Sequence, residues 1–318
     1  MYDVTATGEL LIDFTRNGLS EQNNRIYEAN PGGAPCNVLA MLGKLGYKTA
    51  FIGKVGEDEF GKLLKNTITE QNIDAAGLVL DPNAKTTLAF VDNDETGDRS
   101  FSFYRKPGAD MMLREDEVNY ELIDNCRIFH FGSLSMTDEP VRSATYAMID
   151  YAKKKNKIIS FDPNLRPPLW ESEELAAKQI WYGIEQCDIL KIADNEIEWL
   201  TGTDDYDKGI EIIRQRTHAK LINVTLGPNG SIAYYGDHKV FMEPYLNENT
   251  IETTGAGDTF GACALHAVLK NGLDNMTEEE LREMLQFANA AASLVTTKKG
   301  ALRVMPEEKE IKELMNKN

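Results

Sequence analysis

Short apolar runs alternate with helical patterns through most of this chain, and that rhythm limits the fold more than any other feature of the sequence. Four runs rich in branched and aromatic side chains predict buried strands at residues 128–131, 158–161, 189–192 and 221–224. Helical patterns separate these runs, around residues 139–155, 173–186 and 206–217. Strands joined through helices form right-handed crossovers. We therefore predict an α/β protein whose mostly parallel sheet is covered by helices on both faces.

The N-terminal third shows the same alternation. Residues 10–12 form a short apolar run that is typical of a buried strand. Helical spacing of apolar residues follows twice, over residues 38–45 and 60–67. Pro35 lies near the start of the first of these helices and Gly46 lies at its end, as is usual for helix termini.

A turn-rich polar segment at residues 92–99 interrupts the rhythm. The flanking segments 87–91 and 100–104 are strand-like, so we predict a β-hairpin. In an α/β chain such an insertion is a candidate lid or dimer surface, and an ordinary edge hairpin fits the pattern equally well. Since no linker, low-complexity tract or repeat divides the sequence, we expect one domain over residues 1–318, with 86–105 as part of an inserted β lid.

Composition and charge exclude several classes of function. The 318 residues are 42% hydrophobic, enough for a sizeable core, and 34 basic against 51 acidic residues give a net charge of -17, which argues against a nucleic-acid partner. We see neither a signal peptide nor an apolar stretch long enough for a membrane. A cytoplasmic location with reduced thiols is expected from four widely separated cysteines, Cys36, Cys126, Cys187 and Cys263.

The strongest local signal for chemistry is the segment 252–262, ETTGAGDTFGA. The small residues Gly255, Ala256 and Gly257 precede a helical pattern that runs to about residue 270, and the free N–H groups of a helix start form an anion site. Asp258, in the first turn, would meet a substrate hydroxyl beside the bound anion. An anion site next to a base is what phosphoryl transfer to an alcohol requires.

Other interpretations of this segment compete. In one of them, Asp258 is only a helix cap and the glycines form a tight turn, and this accounts for the segment about as well as an anion site beside a base does. A dinucleotide-binding loop is disfavoured because Phe260 occupies the position of its third glycine. The phosphate loop G-x-x-x-x-G-K-[ST] and the protein-kinase signatures H-R-D and D-F-G are all missing from the sequence.

Three further segments are candidate ligand contacts. Gly32 and Gly33 would let a polyol lie against the backbone, and Asn37 could bind two hydroxyls, although a plain loop before a helix fits as well. Asp13 ends the first apolar run, where open α/β sheets place ligands. The turn 225–230, TLGPNG, follows a strand and suits a nucleotide. The four histidines are scattered, which disfavours a zinc site or a histidine triad.

Taken together, these segments resemble the ribokinase/PfkB carbohydrate kinase family over nearly the whole chain. The stretch from GGAPCN at 32–37 to Gly46 resembles the N-terminal signature of the family, and GKVGEDEFG at 53–61 matches its continuation. TTGAGD at 253–258 is similar to the C-terminal signature. Within the family, the segments 103–110, 162–170 and 191–202 are most similar to fructokinases.

The resemblance implies a ribokinase-like fold and ATP-dependent phosphorylation of a sugar, with D-fructose to fructose 6-phosphate as the leading expectation. Kinases of aminoimidazole riboside or of 2-keto-3-deoxygluconate share much of the pattern. A non-catalytic sugar sensor is the hypothesis from another class, but such a protein would typically lose the base or the Gly-Ala-Gly run. The expected partners are a small-molecule sugar and ATP, with neither nucleic acid nor membrane, and a homodimer through the lid is a further expectation.

Carried over onto this sequence, the resemblance implies a role for each matching residue. Asp258 would be the general base, with Gly255, Ala256 and Gly257 as the anion hole. The sugar would be held by Asp13, Gly32, Gly33, Asn37 and Asn164, with Arg105 reaching in from the hairpin. The nucleotide would be bordered by Lys191, Thr225, Gly227, Gly230 and Asn289.

The resemblance also implies Mg²⁺ and, less firmly, K⁺. The family's Asn-x-x-Glu motif places its Glu at Glu196, which would hold Mg²⁺ through water, with Glu198 as the alternative, while Ala193 stands at the Asn position. Glu252 stands where an Asp is usual beside a monovalent cation. With Thr254 it forms the candidate potassium site.

Overall fold

The computed structural model describes residues 1–93 and 99–317, which form thirteen strands. In chain order these are β1 Val4–Thr7, β2 Leu11–Leu19, β3 Arg25–Gly32, β4 Thr49–Gly56, β5 Ile73–Asp81, β6 Leu88–Asn93, β7 Arg99–Tyr104, β8 Ile128–Gly132, β9 Ile158–Asp162, β10 Ile189–Ala193, β11 Leu221–Thr225, β12 Ser231–Tyr235 and β13 His238–Met242.

Ten helices accompany these strands in the described part of the chain. They are α1 Ala34–Lys44, α2 Glu59–Glu70, α3 Glu121–Asp124, α4 Val141–Lys154, α5 Glu173–Gln186, α6 Asp194–Thr201, α7 Tyr206–Arg214, α8 Ala256–Asn271, α9 Glu278–Val295 and α10 Glu308–Met315. Short 3-10 turns cover Ala109–Met112, Glu115–Glu117, Ser133–Met136, Pro167–Leu169 and Gly227–Asn229.

Nine of the strands form one large sheet in the order β13-β12-β11-β10-β9-β8-β1-β4-β5. Six of the neighbouring pairs are parallel, and the two pairs at one end, β11 with β12 and β12 with β13, are antiparallel. Because successive side chains of a strand point to opposite faces, the sheet has two apolar cores. Residues of α1, α2, α8 and α9 pack on one face, and residues of α4, α5 and α7 pack on the other. The predicted α/β class is confirmed.

The predicted hairpin is present as β6 and β7, and it belongs to a larger unit. Strand β2 pairs antiparallel with β3 and parallel with β6, so the small sheet has the order β3-β2-β6-β7. The turn of the predicted hairpin, at residues 94–98, lies outside the described residues. One face of the small sheet carries an aromatic cluster in which Phe14 stacks on Phe90 with ring centroids 4.8 Å apart and packs edge-on against Phe60 of α2.

The first predicted strand was assigned to the wrong sheet. Residues 11 and 12 belong to β2 of the small sheet, and the N-terminal strand of the large sheet is β1, whose four residues are too few to stand out in the sequence. Asp13 therefore lies within β2 and does not end a strand of the parallel sheet. The alternation of β2 explains the difference: Leu11, Asp13 and Thr15 share one face, which a search for continuous apolar runs overlooks.

Two remaining observations concern the chain as a whole. Among the described residues, no helix combines the length and apolarity that crossing a bilayer demands. All four cysteines have free thiols and are buried.

Candidate active site

A cavity of about 720 Å³ lies between the large and the small sheet. Its floor is formed by residues at or just beyond the carboxyl ends of large-sheet strands, namely Glu9, Asn164, Lys191, Ala193 and Thr225. Its opposite wall comes from one face of the small sheet, with Asp13, Thr15, Asn30, Val91 and Phe103. Two helix starts, at α1 and α8, also reach the cavity. The cavity thus lies where open parallel sheets usually bind ligands.

The start of α8 forms one end of the cavity. Gly255 precedes the helix with φ +77°, a left-handed conformation that favours glycine, and a side chain there would meet Ala301 at 2.5 Å. Gly255, Ala256 and Gly257 all line the cavity, as predicted. The first N–H groups of the helix lack acceptors within it and point along the positive end of its dipole. This arrangement can bind an anion.

The carboxylate of Asp258 lies in the same turn and lines the cavity. The Nδ2 of Asn37, from the first turns of α1, donates to its Oδ2 at 2.7 Å. Burial, followed by the negative charge of Asp162, raises the pKa of Asp258 to about 6. At neutral pH the group is therefore mostly a carboxylate and can take up a proton.

The buried side chain of Asn37 has an unpaired oxygen that can accept a hydrogen bond from a ligand. Its side chain is 4% exposed, and its Oδ1 has no hydrogen-bond partner within the described structure. A buried acceptor without a partner is costly, so a ligand hydroxyl that donates to Oδ1 would be favoured. The hydroxyl would then lie next to Asp258.

Asp13 faces the cavity from the small sheet, next to Gly32. A side chain at Gly32 would lie 2.5 Å from the Asp13 Oδ2, so this glycine leaves room for the carboxylate. Burial raises the pKa of Asp13 to about 7, with the Arg166 cation opposing the shift and Glu252 and Asp258 adding to it. Gly33 also lines the cavity, so four predicted sugar contacts, including Asn37, are brought together.

Lys191 and Asn164 share one partner on the floor of the cavity. The Lys191 Nζ lies 3.2 and 3.1 Å from the two carboxylate oxygens of Asp162, at the end of β9. The backbone N–H of Asn164 donates to the Asp162 Oδ1 at 3.2 Å, and Asn164 has φ +44°. Asp162 thus fixes both the lysine and the loop that carries Asn164 to the cavity.

The predicted nucleotide contacts Thr225, Gly227, Gly230 and Asn289 also line the cavity. Asn289 is engaged by the protein itself, since its Oδ1 accepts from Ser231 and its Nδ2 donates to the carbonyls of Met242 and Glu243. Its amide therefore shapes this end of the cavity by holding β12 against the segment that follows β13.

Arg105 is not brought to the cavity, contrary to expectation. Its side chain is 3% exposed, and its Nε donates to Asp110 at 2.7 Å. The two Nη atoms donate to Thr137 and to the carbonyl of Leu134. Because Arg105 is buried and each of its three nitrogens donates to the protein beside the end of β7, it anchors the base of the small sheet and does not line the cavity.

Glu196 does not line the cavity either. Its Oε1 and Oε2 accept from the backbone N–H groups of Leu165 and Ala193, at 2.7 and 2.8 Å. Burial raises the pKa of Glu196, and the nearby Lys191 opposes that shift. Its alternative Glu198 is exposed and absent from the cavity wall. Among the described residues, no group of three or more His, Cys, Asp or Glu side chains forms a ready metal site.

Glu252 and Thr254 line the cavity beside the start of α8. The Glu252 Oε1 accepts from the backbone N–H of Gly300 at 2.7 Å, which joins the two loops at this end of the cavity. The geometry leaves the other carboxylate oxygen of Glu252 for a ligand.

Sequence reasoning missed several residues that line the cavity, chiefly Glu9, Thr15, Asn30, Phe103 and Arg166. The period-two pattern of β2 places Thr15 beside Asp13, and pairing of β2 with β3 places Asn30 opposite Asp13, so both could have been found. Glu9 lies between strands and carries no such signal. Its Oε1 accepts from the N–H of Ala34 at 2.9 Å, which caps α1 from outside the helix.

This combination of an anion-binding helix start, a buried carboxylate beside it and a polar second wall defines a kinase that phosphorylates a small hydroxyl compound. Comparison with known proteins agrees. The profile of the pfkB family carbohydrate kinases matches residues 1–308. The chain belongs to this family.

Individual relatives cover the whole chain. The probable fructokinase-2 of Arabidopsis thaliana is 42% identical over 305 residues, which is 95% of this chain and 92% of the relative. Among solved structures, the fructokinase of Xylella fastidiosa with bound ATP has a TM-score of 0.90 at 30% identity, covering 100% and 99% of the two chains. The fructokinase of Vibrio cholerae O395 with fructose, ADP and calcium has a TM-score of 0.88 at 30% identity and covers 99% of each chain. The ribokinase-like fold expected from the sequence is confirmed.

Proposed function

We propose that this protein is an ATP-dependent fructokinase that forms fructose 6-phosphate. The observation that carries the proposal is the 2.7 Å hydrogen bond between Asn37 and Asp258, which holds a carboxylate with a pKa of about 6 beside the start of α8. A sugar hydroxyl bound there lies next to both a base and an anion site. Full-length similarity to fructokinases of about 40% identity supports the same reaction.

In the proposed reaction, the helix start of α8 binds the γ-phosphate of ATP, and Asp258 takes the proton of the sugar 6-hydroxyl. The hydroxyl oxygen forms a bond to the γ-phosphorus while the bond from that phosphorus to the bridging oxygen breaks. The electron pair of that bond leaves with ADP, and the proton remains on Asp258 until product release. Asp13 and Asn37 orient the sugar so that the oxygen and the phosphorus meet in line.

The charges of the cavity favour a neutral sugar over a sugar acid. Glu9, Asp13 and Asp258 are three carboxylates on the sugar side, and Arg105, which could have neutralised an acid, is paired with Asp110. A substrate carboxylate would have to approach these acidic groups, and the cations that line the cavity, Arg166 and Lys191, already face Asp13, Asp162 and Asp258. This argues against 2-keto-3-deoxygluconate, and it leaves the neutral aminoimidazole riboside as the second candidate.

A divalent ion, expected as Mg²⁺, supplies neutralisation of the ATP phosphates when bound. Among the carboxylates near the end of β10, Asp194 lines the cavity, whereas Glu196 is buried and does not. Asp194 would hold the ion, and Glu196, whose two oxygens accept from backbone N–H groups, would reach it only through water. Glu252 and Thr254 would hold K⁺ at the opposite loop. The donor chemistry fits, since carboxylate and hydroxyl oxygens are the ligands that both ions prefer.

The small sheet serves as a lid in this proposal. Its strands carry Asp13 and Asn30 on the cavity side, so movement of the sheet would admit the sugar and then exclude water, which competes as a phosphoryl acceptor. Tyr104, 66% exposed at the edge of its aromatic face, supports the expectation of a homodimer through this sheet. The four buried free thiols support a reducing, cytoplasmic setting for a one-domain enzyme.

The proposal is tested by an ADP-release assay with ATP and Mg²⁺ against fructose, glucose, ribose, 2-keto-3-deoxygluconate and aminoimidazole riboside, with and without K⁺. We expect turnover with fructose and the lowest activity with the sugar acid. Turnover with only another sugar would support the proposed phosphoryl transfer and show that fructose is not the substrate. Absence of turnover with every sugar, in protein that binds ATP, would favour the sugar-sensing alternative.

A further inference from the structure

The Lys191 ammonium is a buried cation with only part of its bonding capacity used. Its side chain lines the cavity, and the residue is 9% exposed. An ammonium group has three N–H donors. The contacts found for Lys191 among the described residues are with the two oxygens of Asp162, at 3.2 and 3.1 Å. A donor therefore remains for a ligand in the cavity.

Gly257 leaves the space that this ammonium occupies. A side-chain carbon at Gly257 would lie 3.7 Å from the Lys191 Cε, an ordinary contact, but only 3.1 Å from its Nζ, so the ammonium would have to shift by a few tenths of an ångström. A glycine at a helix start lets the backbone approach a phosphate closely. The structure adds a second reason, because glycine at this position lets the lysine reach the helix start.

The start of α8 and the Lys191 ammonium thus bring two sets of hydrogen-bond donors together at one end of the cavity. The N–H of Ala256 donates to the Thr253 carbonyl, so the next N–H groups of α8, those of Gly257 and Asp258, are the donors that face a ligand. These groups and the Lys191 ammonium are all donors and cannot bond to each other, and an anion between them would satisfy both. Burial disfavours the charge of Lys191, but Asp162, Glu196 and Asp258 outweigh it and raise the pKa of the lysine. Lys191 is therefore protonated throughout the pH range in which Asp258 acts as a base.

We propose that Lys191 is a catalytic residue that contacts the phosphoryl group in transfer, and that Asp162 is the residue that positions it. This inference rests on the proposed kinase function and refines the expectation that Lys191 merely borders the nucleotide. Negative charge is spread over the three outer oxygens of the phosphoryl group while it moves between ADP and the sugar. A fixed ammonium beside those oxygens stabilises that state more than it stabilises bound ATP.

A second buried lysine provides the matched control. The Lys54 Nζ, on β4, contacts Asp81 at 2.9 Å, Glu117 at 2.8 Å and the carbonyl of Met112 at 3.1 Å. All of its donors are used by the protein, and Lys54 does not line the cavity. Both lysines are buried and paired with aspartate, so a change to methionine removes a similar buried charge from each.

The test compares Lys191→Met, Gly257→Ala and Lys54→Met in the full chain. We expect Lys191→Met to lower kcat by about 100- to 1000-fold, the range for loss of one donor to a developing negative charge, with the fructose KM within about threefold of the original. Gly257→Ala keeps the lysine but displaces its ammonium, so it should lower kcat by about tenfold or more. Lys54→Met should leave kcat unchanged at temperatures where it stays folded.

A binding measurement separates this role from a structural one. Calorimetry with fructose present compares the affinity for ADP alone with that for ADP plus aluminium fluoride, which mimics the phosphoryl group in transfer. We expect the fluoride to tighten ADP binding in the original protein and in Lys54→Met, and to do so at least about tenfold less in Lys191→Met. Thermal unfolding of all three variants shows that they are folded.

The outcomes distinguish the two proposals. If the original protein phosphorylates fructose and Lys191→Met retains its kcat and the fluoride effect, the role of Lys191 is wrong and the fructokinase proposal stands. If the original protein phosphorylates no sugar and shows no fluoride effect, the proposed function fails and the role of Lys191 fails with it. A large loss of kcat in Lys54→Met as well would assign the effect to lost buried charge in general.

Discussion

The two walls of the cavity differ in how they are built and in what they can do. The wall from the large sheet places Lys191 within β10 and Asp258 in the first turn of α8, and each group has a fixed partner, Asp162 or Asn37. The wall from the small sheet presents Asp13, Asn30 and Phe103 on a four-stranded sheet beside the core. The difference indicates that chemistry belongs to the first wall and sugar selection to the second. Variants of the first wall should therefore change kcat, and variants of the second should change the sugar KM.

The largest effect is expected for Asp258→Asn. This change removes the base and keeps an oxygen for Asn37, so kcat should fall by about 1000-fold or more, while sugar binding stays within about threefold. Coupled kinetics and calorimetry with fructose measure the two quantities. Asp150→Asn, on the exposed face of α4, is the control and should match the original protein. Retention of kcat in Asp258→Asn would remove this residue from the reaction.

A smaller effect, on a different parameter, is expected on the second wall. Asp13→Ala removes a half-buried acceptor for sugar hydroxyls, so the fructose KM should rise by about 10- to 100-fold, the cost of one hydrogen bond to a charged group. The change in kcat should be clearly smaller than the change in KM. Glu28→Gln, on the neighbouring strand β3 and outside the cavity, controls for altered charge in the same sheet. A drop in kcat without a rise in KM would contradict the division between the walls.

The pH dependence of the rate should show a smaller effect, a loss of about tenfold between the plateau and pH 5. Asp258 accepts a proton only as a carboxylate, and burial raises its pKa to about 6. We therefore expect kcat at saturating fructose, which does not depend on sugar binding by Asp13, to fall as the pH drops below about 6, reaching roughly a tenth of its plateau at about pH 5. Rate measurements from pH 5 to pH 9 locate this limb. A flat profile down to pH 5 would show that a group with an ordinary carboxylate pKa limits the rate.

The smallest expected effect concerns stability. Because the folded protein raises the pKa of Asp258 from 3.8 to about 6, the protonated group favours folding, and that contribution is lost as the pH rises through about 6. Asp258→Asn should therefore raise the melting temperature by a few degrees at pH 8 and leave it nearly unchanged at pH 4. Scanning calorimetry at both pH values makes the comparison. Equal shifts at the two pH values would contradict the assigned cause.

The two walls also differ in how far the sequence predicts them. Local sequence patterns predict most of the first wall, because each of its segments is continuous and has its own start and stop signals. These segments are the Gly255–Asp258 turn, the four central strands and the helix that carries Asn37. The second wall depends on the pairing of β2 with both β3 and β6, which are far apart in sequence. The sequence therefore predicted correctly that Asp13 lies at the cavity, but it placed the strand that carries Asp13 in the large sheet instead of the small one.

Side-chain partnerships were the least predictable feature. Arg105 and Glu196 have the right residue types for binding a ligand, but Asp110 occupies the first and two backbone N–H groups occupy the second. Such pairing depends on tertiary contacts that no local pattern encodes. Lys191 shows the reverse case, since only the structure reveals that its ammonium lies beside Gly257 and that a donor remains for a ligand.

A crystal structure of the protein with fructose and ADP bound would test the proposed reaction most directly. We predict that both molecules occupy the cavity between the sheets, with the sugar 6-hydroxyl within about 3 Å of an Asp258 carboxylate oxygen and directed at the β-phosphate of ADP. The remaining hydroxyls should contact Asp13 and Asn37. A sugar bound with a different hydroxyl next to Asp258, or bound outside the cavity, would contradict the proposed reaction.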